Sequence, residues 1–194
     1  ACSTGEEILS LAMLCEECGV KARLYGTDID SNALKALTLG EYLPVSVRTD
    51  GSVFHSVLEK YSSQNNGVIS VNQDIIKKIK FGTYNLHTFS GLAEIPIDGT
   101  VDIIFLRNAF IYFDEDTRAK IISFMEKKLC SQGYLFFSMS EIASILPSKK
   151  SSLSKQRQDM VYFLQKDALK PIEENKIRRE PAHQAKTTKD KAIV

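Results

Sequence analysis

The chain has 194 residues, 43% of them hydrophobic and 25% charged, with a formal net charge of +1. That make-up is a soluble globular domain with room for one sizeable core, and the near-zero charge excludes a global electrostatic drive toward nucleic acid or an anionic membrane. No apolar stretch reaches the length of a membrane span, and four cysteines are too few for a disulfide scaffold in a chain this long.

Ser3-Thr4-Gly5-Glu6-Glu7 is a glycine turn that runs straight into an apolar face of Ile8, Leu9, Leu11, Ala12 and Leu14. Ser3 and Thr4 each have a Glu three residues on, the capping-box spacing, which predicts a helix of about three turns ended by Gly19. Cys15 and Cys18 fall at the end of that helix in a C-x-x-C spacing. They have no second pair and no nearby histidine, so a structural role is expected. His55, His87 and His183 show no ligand spacing. A strand over 22–27 and a helix over 31–39, capped by Asp30 or Ser31, continue the βαβ rhythm of a parallel sheet.

The rhythm breaks between 40 and 80. A helix over 52–61 presents Val53, Phe54, Val57, Leu58 and Tyr61 on one face, Asn66-Gly67 is a turn signal, and 68–71 is a short strand. This stretch reads as an insertion with its own small sheet. A strand over 79–81 then leads to Tyr84-Asn85-Leu86. The apolar run over 101–106 predicts a strand buried on both faces. Asp114 is expected to cap a helix carrying Ile121, Phe124, Met125 and Leu129, with Gly133 as its stop. Strands follow over 134–138 and 160–164, with 151–154 as a loop. Lys77, Lys78, Lys80, Lys149, Lys150, Lys155 and Arg157 read as solvated faces, and from about Lys166 the composition is that of a charged, flexible tail.

Ligands of open α/β folds bind at the carboxyl ends of the strands. Here those ends carry the Ser-Thr-Gly-Glu-Glu turn, Asp28, Asn85, Arg107-Asn108 and, soon after, Tyr112. Asp28 can accept from both hydroxyls of a ribose, Asn85 can offer a donor and an acceptor to an adenine edge, and Glu6 or Glu7 can meet a positive charge. Carboxylates at a turn that elsewhere holds pyrophosphate repel a dinucleotide and attract a cation, which favours S-adenosylmethionine over NAD. Ordinary readings stand beside these. Glu6 and Glu7 can complement a helix dipole, Asp28 can cap the next helix, and Asn85 can be a turn residue. Arg107 directly follows a buried apolar strand and needs a partner or a ligand.

Five stretches carry a family resemblance: residues 1–7, Thr27-Asp28-Ile29-Asp30, Tyr84-Asn85-Leu86, Leu106-Arg107-Asn108-Ala109-Phe110-Ile111-Tyr112-Phe113 and Ser138-Met139-Ser140-Glu141. In order and spacing they resemble the chemotaxis receptor methyltransferases of the CheR type, from residue 1 to about Lys166. The resemblance implies an α/β, Rossmann-like class I methyltransferase sheet with a small antiparallel β-subdomain inserted. It implies a methyltransferase domain over 1–166, with the insertion at 43–78, and a tail over 167–194. Glu7, Asp28, Asn85, Leu86, Arg107 and Asn108 correspond to the residues that hold S-adenosylmethionine, and Arg107 and Tyr112 to those at the methyl-transfer centre. No metal is implied. The expected reaction is transfer of a methyl group to receptor glutamate carboxylates, giving methyl esters and S-adenosylhomocysteine. Expected partners are chemoreceptor cytoplasmic helices and a receptor C-terminal peptide on the inserted subdomain, in a cytoplasmic setting, with neither nucleic acid nor membrane insertion. Two alternatives are a methyltransferase acting on another substrate and a non-catalytic binding module. The chain departs from the family's pattern at two points. It opens at the glycine turn, where members have a helical domain and a first strand beforehand, and Ser138-Met139-Ser140-Glu141 stands where Gly-His-Ser-Glu is usual.

Overall fold

The computed structural model describes residues 1–47, 53–91, 101–145 and 151–168. Expectations for Ser52, the side chain of Val53, Lys149, Lys150, His183 and the tail from residue 169 fall outside them. The element order is α1 (Glu6–Glu17), β1 (Leu24–Asp28), α2 (Ser31–Leu39), β2 (Glu41–Tyr42), α3 (Val53–Tyr61), β3 (Ser62–Asn65), β4 (Val68–Val71), α4 (Gln73–Ile76), β5 (Ile79–Thr83), β6 (Val101–Phe105), α5 (Glu115–Lys128), β7 (Leu129–Phe136), α6 (Met139–Ser144), β8 (Leu153–Gln158) and β9 (Val161–Lys166).

Among the described residues the strands form three sheets. β1 pairs with β5 in parallel, β2, β4 and β3 make the small antiparallel sheet of the insertion, and β6, β7, β9 and β8 make a mixed sheet. Within the mixed sheet β6–β7 is parallel, while β7–β9 and β9–β8 are antiparallel. Ahead of α1 the chain runs along β1, where the Cys2 amide donates to the Thr27 carbonyl at 2.8 Å. Two cores correspond to the two parallel pairs. Ile8, Leu9, Met13, Leu37, Val71, Ile76 and Ile79 belong to one, and Leu106, Phe110, Ile121, Leu129, Leu135 and Leu164 to the other.

Several local expectations are corrected. No side chain caps α1: Gly5, at φ 93, is its N-cap, and the Thr4 hydroxyl instead donates to Glu6 Oε2 at 2.7 Å. A left-handed glycine lets the chain reverse into the helix within one residue, a task Ser and Thr do poorly. α5 ends at Lys128 and not at Gly133. Leu129 turns extended and fully buried as the first residue of β7, and Gly133 lies inside that strand, next to a register shift against β6. Core burial of Leu129 thereby overrides the helical spacing. β6 is half-buried where burial on both faces was expected, with Ile103 52% exposed. It is paired only with β7, which leaves one edge without a neighbouring strand among the described residues. Residues 153–154, read as loop, begin β8, a polar edge strand whose sequence LSKQRQ carries almost no apolar alternation. Asp30, rather than Ser31, caps α2 by accepting from the Asn32 amide at 2.8 Å, and Asp114 caps α5 through the Thr117 amide at 2.8 Å.

Candidate functional site

The turn before α1 is built around Asp28. Its Oδ2 accepts from the Ser3 amide at 2.7 Å and its Oδ1 from the Asp30 amide at 3.0 Å, so the carboxylate at the tip of β1 is held in one orientation. Each oxygen keeps a lone pair for a further donor. Gly5 allows the close approach of α2. A Cβ there would lie 2.4 Å from Leu37 Cδ1. Tyr42, from the inserted sheet, braces the same turn by donating its hydroxyl to the Thr4 carbonyl at 2.6 Å, and burial pushes its phenol well above the usual range. Burial likewise pushes the Cys2 thiol up to about 11, leaving it a neutral packing group beside Gly26.

β5 continues from Thr83, the register partner of Asp28, and the Tyr84 amide donates to the Asp28 carbonyl at 2.8 Å. Asn85 therefore emerges beside the Asp28 strand end. Its Oδ1 accepts from the amides of His87 at 2.8 Å and Thr88 at 3.4 Å, the turn role. The side-chain NH2 is the part that can serve a ligand. Leu86 points into the core beneath.

From the other half of the molecule, Arg107 follows β6 and pairs with Glu7 at the start of α1. The pair joins the two strand-end regions and supplies the partner that a charge at this position requires. It also lines a cavity of about 470 Å³ that runs between α1 and the inserted subdomain, with Leu9, Met13, Phe54 and Val71 on its walls. Asn108 is left-handed, at φ 57. Tyr112 ends a 3-10 turn over Phe110–Tyr112 with its side chain 79% exposed. The structure thus brings Glu7 to Arg107 and Asp28 to the Asn85 strand end, and it leaves Tyr112 standing clear of the surface.

These contacts bear on which ligand fits. Of the amides that a phosphate would need at the turn, Ser3 donates to Asp28 and Gly5 to the Cys2 carbonyl. A turn in which these two amides are spent inside the protein, with a fixed carboxylate beside it and two glutamates opening the helix, favours a ribose and a cationic group over a pyrophosphate. The donor set fits S-adenosylmethionine.

Glu141 is the residue whose part in the site composition did not reveal. Only 5% exposed, it accepts from the amides of Asn108 and Phe110, both at 2.8 Å, and from the Ser138 amide at 3.1 Å and its hydroxyl. Burial pushes its carboxyl up, but these hydrogen bonds outweigh that and hold it below the ordinary range. The signal was available in the Ser-x-x-Glu spacing from Ser138, a capping-box pattern.

A family model described as "CheR methyltransferase, SAM binding domain" matches residues 1–170. The chemotaxis protein methyltransferase 2 of Vibrio cholerae is 31% identical over 159 residues, covering 77% of this chain and 53% of its own length. The chemotaxis protein methyltransferase of Escherichia coli is 30% identical over 175 residues, covering 86% of this chain and 57% of its own. The chain therefore spans about half the length of the curated relatives it matches. Among solved structures, an rRNA methylase from Streptococcus thermophilus aligns over 86% of this chain and 83% of its own, at 11% identity and a TM-score of 0.45. The family match takes in every strand end that carries a candidate site residue, and the chain belongs to the CheR methyltransferases, with residues 1–170 matching their S-adenosylmethionine-binding domain.

Proposed function

We propose that this chain transfers a methyl group from S-adenosylmethionine to glutamate side-chain carboxylates on the cytoplasmic helices of chemoreceptors, giving methyl esters and S-adenosylhomocysteine. The observation that carries the reading is the family match over residues 1–170. The bound cofactor supplies the methyl group. Asp28 takes the ribose hydroxyls on a carboxylate already oriented by two backbone amides. Asn85 offers its NH2 to the adenine edge, and Leu86, with its side chain buried, contributes backbone to the same edge. Glu7, Arg107 and Asn108 hold the methionine end, with the Glu7–Arg107 pair presenting both signs of charge to an amino acid's ammonium and carboxylate.

The acceptor needs no general base, because a glutamate carboxylate is ionised at neutral pH. What remains is orientation, which contributes about 7–11 kcal/mol of a barrier in favourable cases. Arg107 and the Tyr112 hydroxyl orient the acceptor carboxylate. We assign the domain to 1–166 and its insertion to 43–78, with β2 just ahead of those bounds completing the inserted sheet, and assign no domain to the charged sequence over 167–194. Among the described residues β3 pairs with β4 alone in the inserted sheet, and its residues Ser63 to Asn65 are exposed. An extended receptor C-terminal peptide adds to that open edge as a further strand. Among the described residues no helix is long and apolar enough to cross a membrane, and the cytoplasmic setting is part of the reading because the proposed substrate glutamates lie on cytoplasmic receptor helices.

The test is calorimetric titration with S-adenosylhomocysteine beside NAD, followed by a methyl-transfer assay on receptor-containing membranes. Saturable binding of S-adenosylhomocysteine but not NAD, with base-labile methyl groups appearing on receptor, is the expected result. Equal binding of NAD would remove the cofactor assignment. Cofactor binding without methyl transfer to receptor would remove the substrate.

A further inference from the structure

The loop after β6 has an alternation that its sequence alone does not explain. Leu106, Ala109 and Phe110 are buried, while Arg107 and Asn108 between them are exposed. Such a pattern requires the backbone to reverse within two residues, and it does so at Asn108, at φ 57 in the left-handed region. Asn tolerates this conformation better than most residues but still pays for it. The reversal turns the amides of Asn108 and Phe110 to the same side, inward, away from the surface that carries Arg107. Unpartnered, two inward-facing amides would oppose this conformation. Both end on one carboxylate, Asn108 on Glu141 Oε2 and Phe110 on Oε1.

We infer that Glu141 is a positioning residue of the cofactor site, clamping the Asn108 and Phe110 backbone so that Arg107 meets Glu7 and Asn108 faces the ligand. This rests on the reading that S-adenosylmethionine lies over that loop. A purely local role is too small for the contacts observed. Capping α6 uses the Ser138 amide, whereas Oε1 is directed to a different element altogether. The clamp also ties two strand ends together, since Asn108 follows β6 and Glu141 follows β7. Because a carboxylate accepts at both oxygens, it can serve the two amides at once. A carboxamide presents one acceptor and one donor, so Glu141→Gln must turn an N–H toward one of them.

The test measures S-adenosylhomocysteine affinity and melting temperature together, on the chain as it stands. Glu141→Gln is expected to weaken binding by about 10- to 30-fold, and Glu141→Asp, which keeps the charge but ends one methylene short, by an intermediate factor. The control is Ile121→Val, a truncation in the same core on α5, at a residue outside the set that Glu141 hydrogen-bonds. It is compared at a temperature where both proteins are equally folded, and its affinity is expected to match wild type. Should Glu141→Gln fail to fold, Glu141→Asp carries the comparison. Wild-type affinity in a folded Glu141 variant overturns the proposal, as does an equal loss of affinity in Ile121→Val. Absence of binding by the wild-type chain is a separate failure, that of the cofactor reading itself, and takes the positioning role with it.

Discussion

The two parallel pairs contribute to the site in opposite ways. The β1–β5 half supplies the carboxylates Glu7 and Asp28 together with Asn85, and the polar atoms of Asp28 and Asn85 are fixed by amides within a few residues of the turns they belong to or face. The β6–β7 half supplies Arg107, Asn108 and Tyr112, which are exposed, while the backbone beneath them is fixed by a carboxylate from another element. One half therefore holds its ligand groups directly, and the other holds the loop that bears them. The Glu7–Arg107 pair is where the two arrangements meet.

Asp28→Ala attacks the directly held half and has the largest expected effect. It removes the acceptor proposed for two ribose hydroxyls and at the same time frees the Ser3 and Asp30 amides. A loss of about 3 kcal/mol is expected, roughly 150-fold in S-adenosylhomocysteine affinity by titration calorimetry. Affinity within a few-fold of wild type would remove Asp28 from the site. Gly5→Ala damages the same half through its backbone. The new methyl group meets the fully buried Leu37 side chain at a φ that L-residues avoid. About 2 kcal/mol of stability is expected to go, lowering Tm by roughly 4–8 °C. Hydrogen exchange is expected to place the loss in α1 and α2 and to spare α5. Uniform loss would mean that the two cores do not act as separate units.

Acid separates the halves in the other direction. Glu126 and Glu141 both lie in the β6–β7 half. In each, burial raises the carboxyl and hydrogen bonds lower it further, from Ser151 and Ser152 for Glu126 and from Ser138, Phe110 and Asn108 for Glu141. A folded-state value below the unfolded one stabilises the protein above the unfolded value, and that stability is lost as pH falls through the folded one. Glu17, in the first half, is lowered by Lys60 but sits in an exposed surface pair, where the contribution to stability is small. Below the ordinary carboxylate range, amides of β6, β7 and α5 are expected to lose exchange protection before those of β1 and β5. The opposite order would refute the asymmetry.

The same contrast accounts for what could be read in the sequence. Where a residue's role is local the pattern mostly sufficed: the glycine turn, the Asp30 and Asp114 caps, Asn66-Gly67 and the position of Asp28 at a strand tip all follow from spacing over a few residues, and the exception is the Ser3/Thr4 capping box, which Gly5 replaces as the cap of α1. The α/β order, the inserted antiparallel sheet and the family were legible for that reason. Where the role depends on a distant element the pattern misled or was silent. Leu129 fits a helical face, yet its burial between α5 and β6 makes it the start of β7. Strand β8 has no alternation to show, because its pairing with β9 supplies the order its side chains do not. Glu141 looked like one residue of a motif, and its partners lie some 30 positions away, at sequence separations of 31 and 33.

Tyr112→Phe makes the smallest change and probes the loop-borne half most selectively. The ring stays and only the hydroxyl goes. Because the side chain is 79% exposed, folding stability is expected to change by less than about 0.5 kcal/mol. Asp28 and the Glu7–Arg107 pair are untouched, so S-adenosylhomocysteine affinity is expected to stay within about twofold of wild type. If the hydroxyl orients the acceptor carboxylate, its loss is felt in the transfer step, and kcat is expected to fall about tenfold, or about 1.4 kcal/mol. A raised Kd with unchanged kcat would instead assign the hydroxyl to the cofactor. Unchanged kcat and Kd would leave Arg107 as the acceptor's sole orienting group and make Tyr112 a contact surface for the receptor helix, to be read from KM alone.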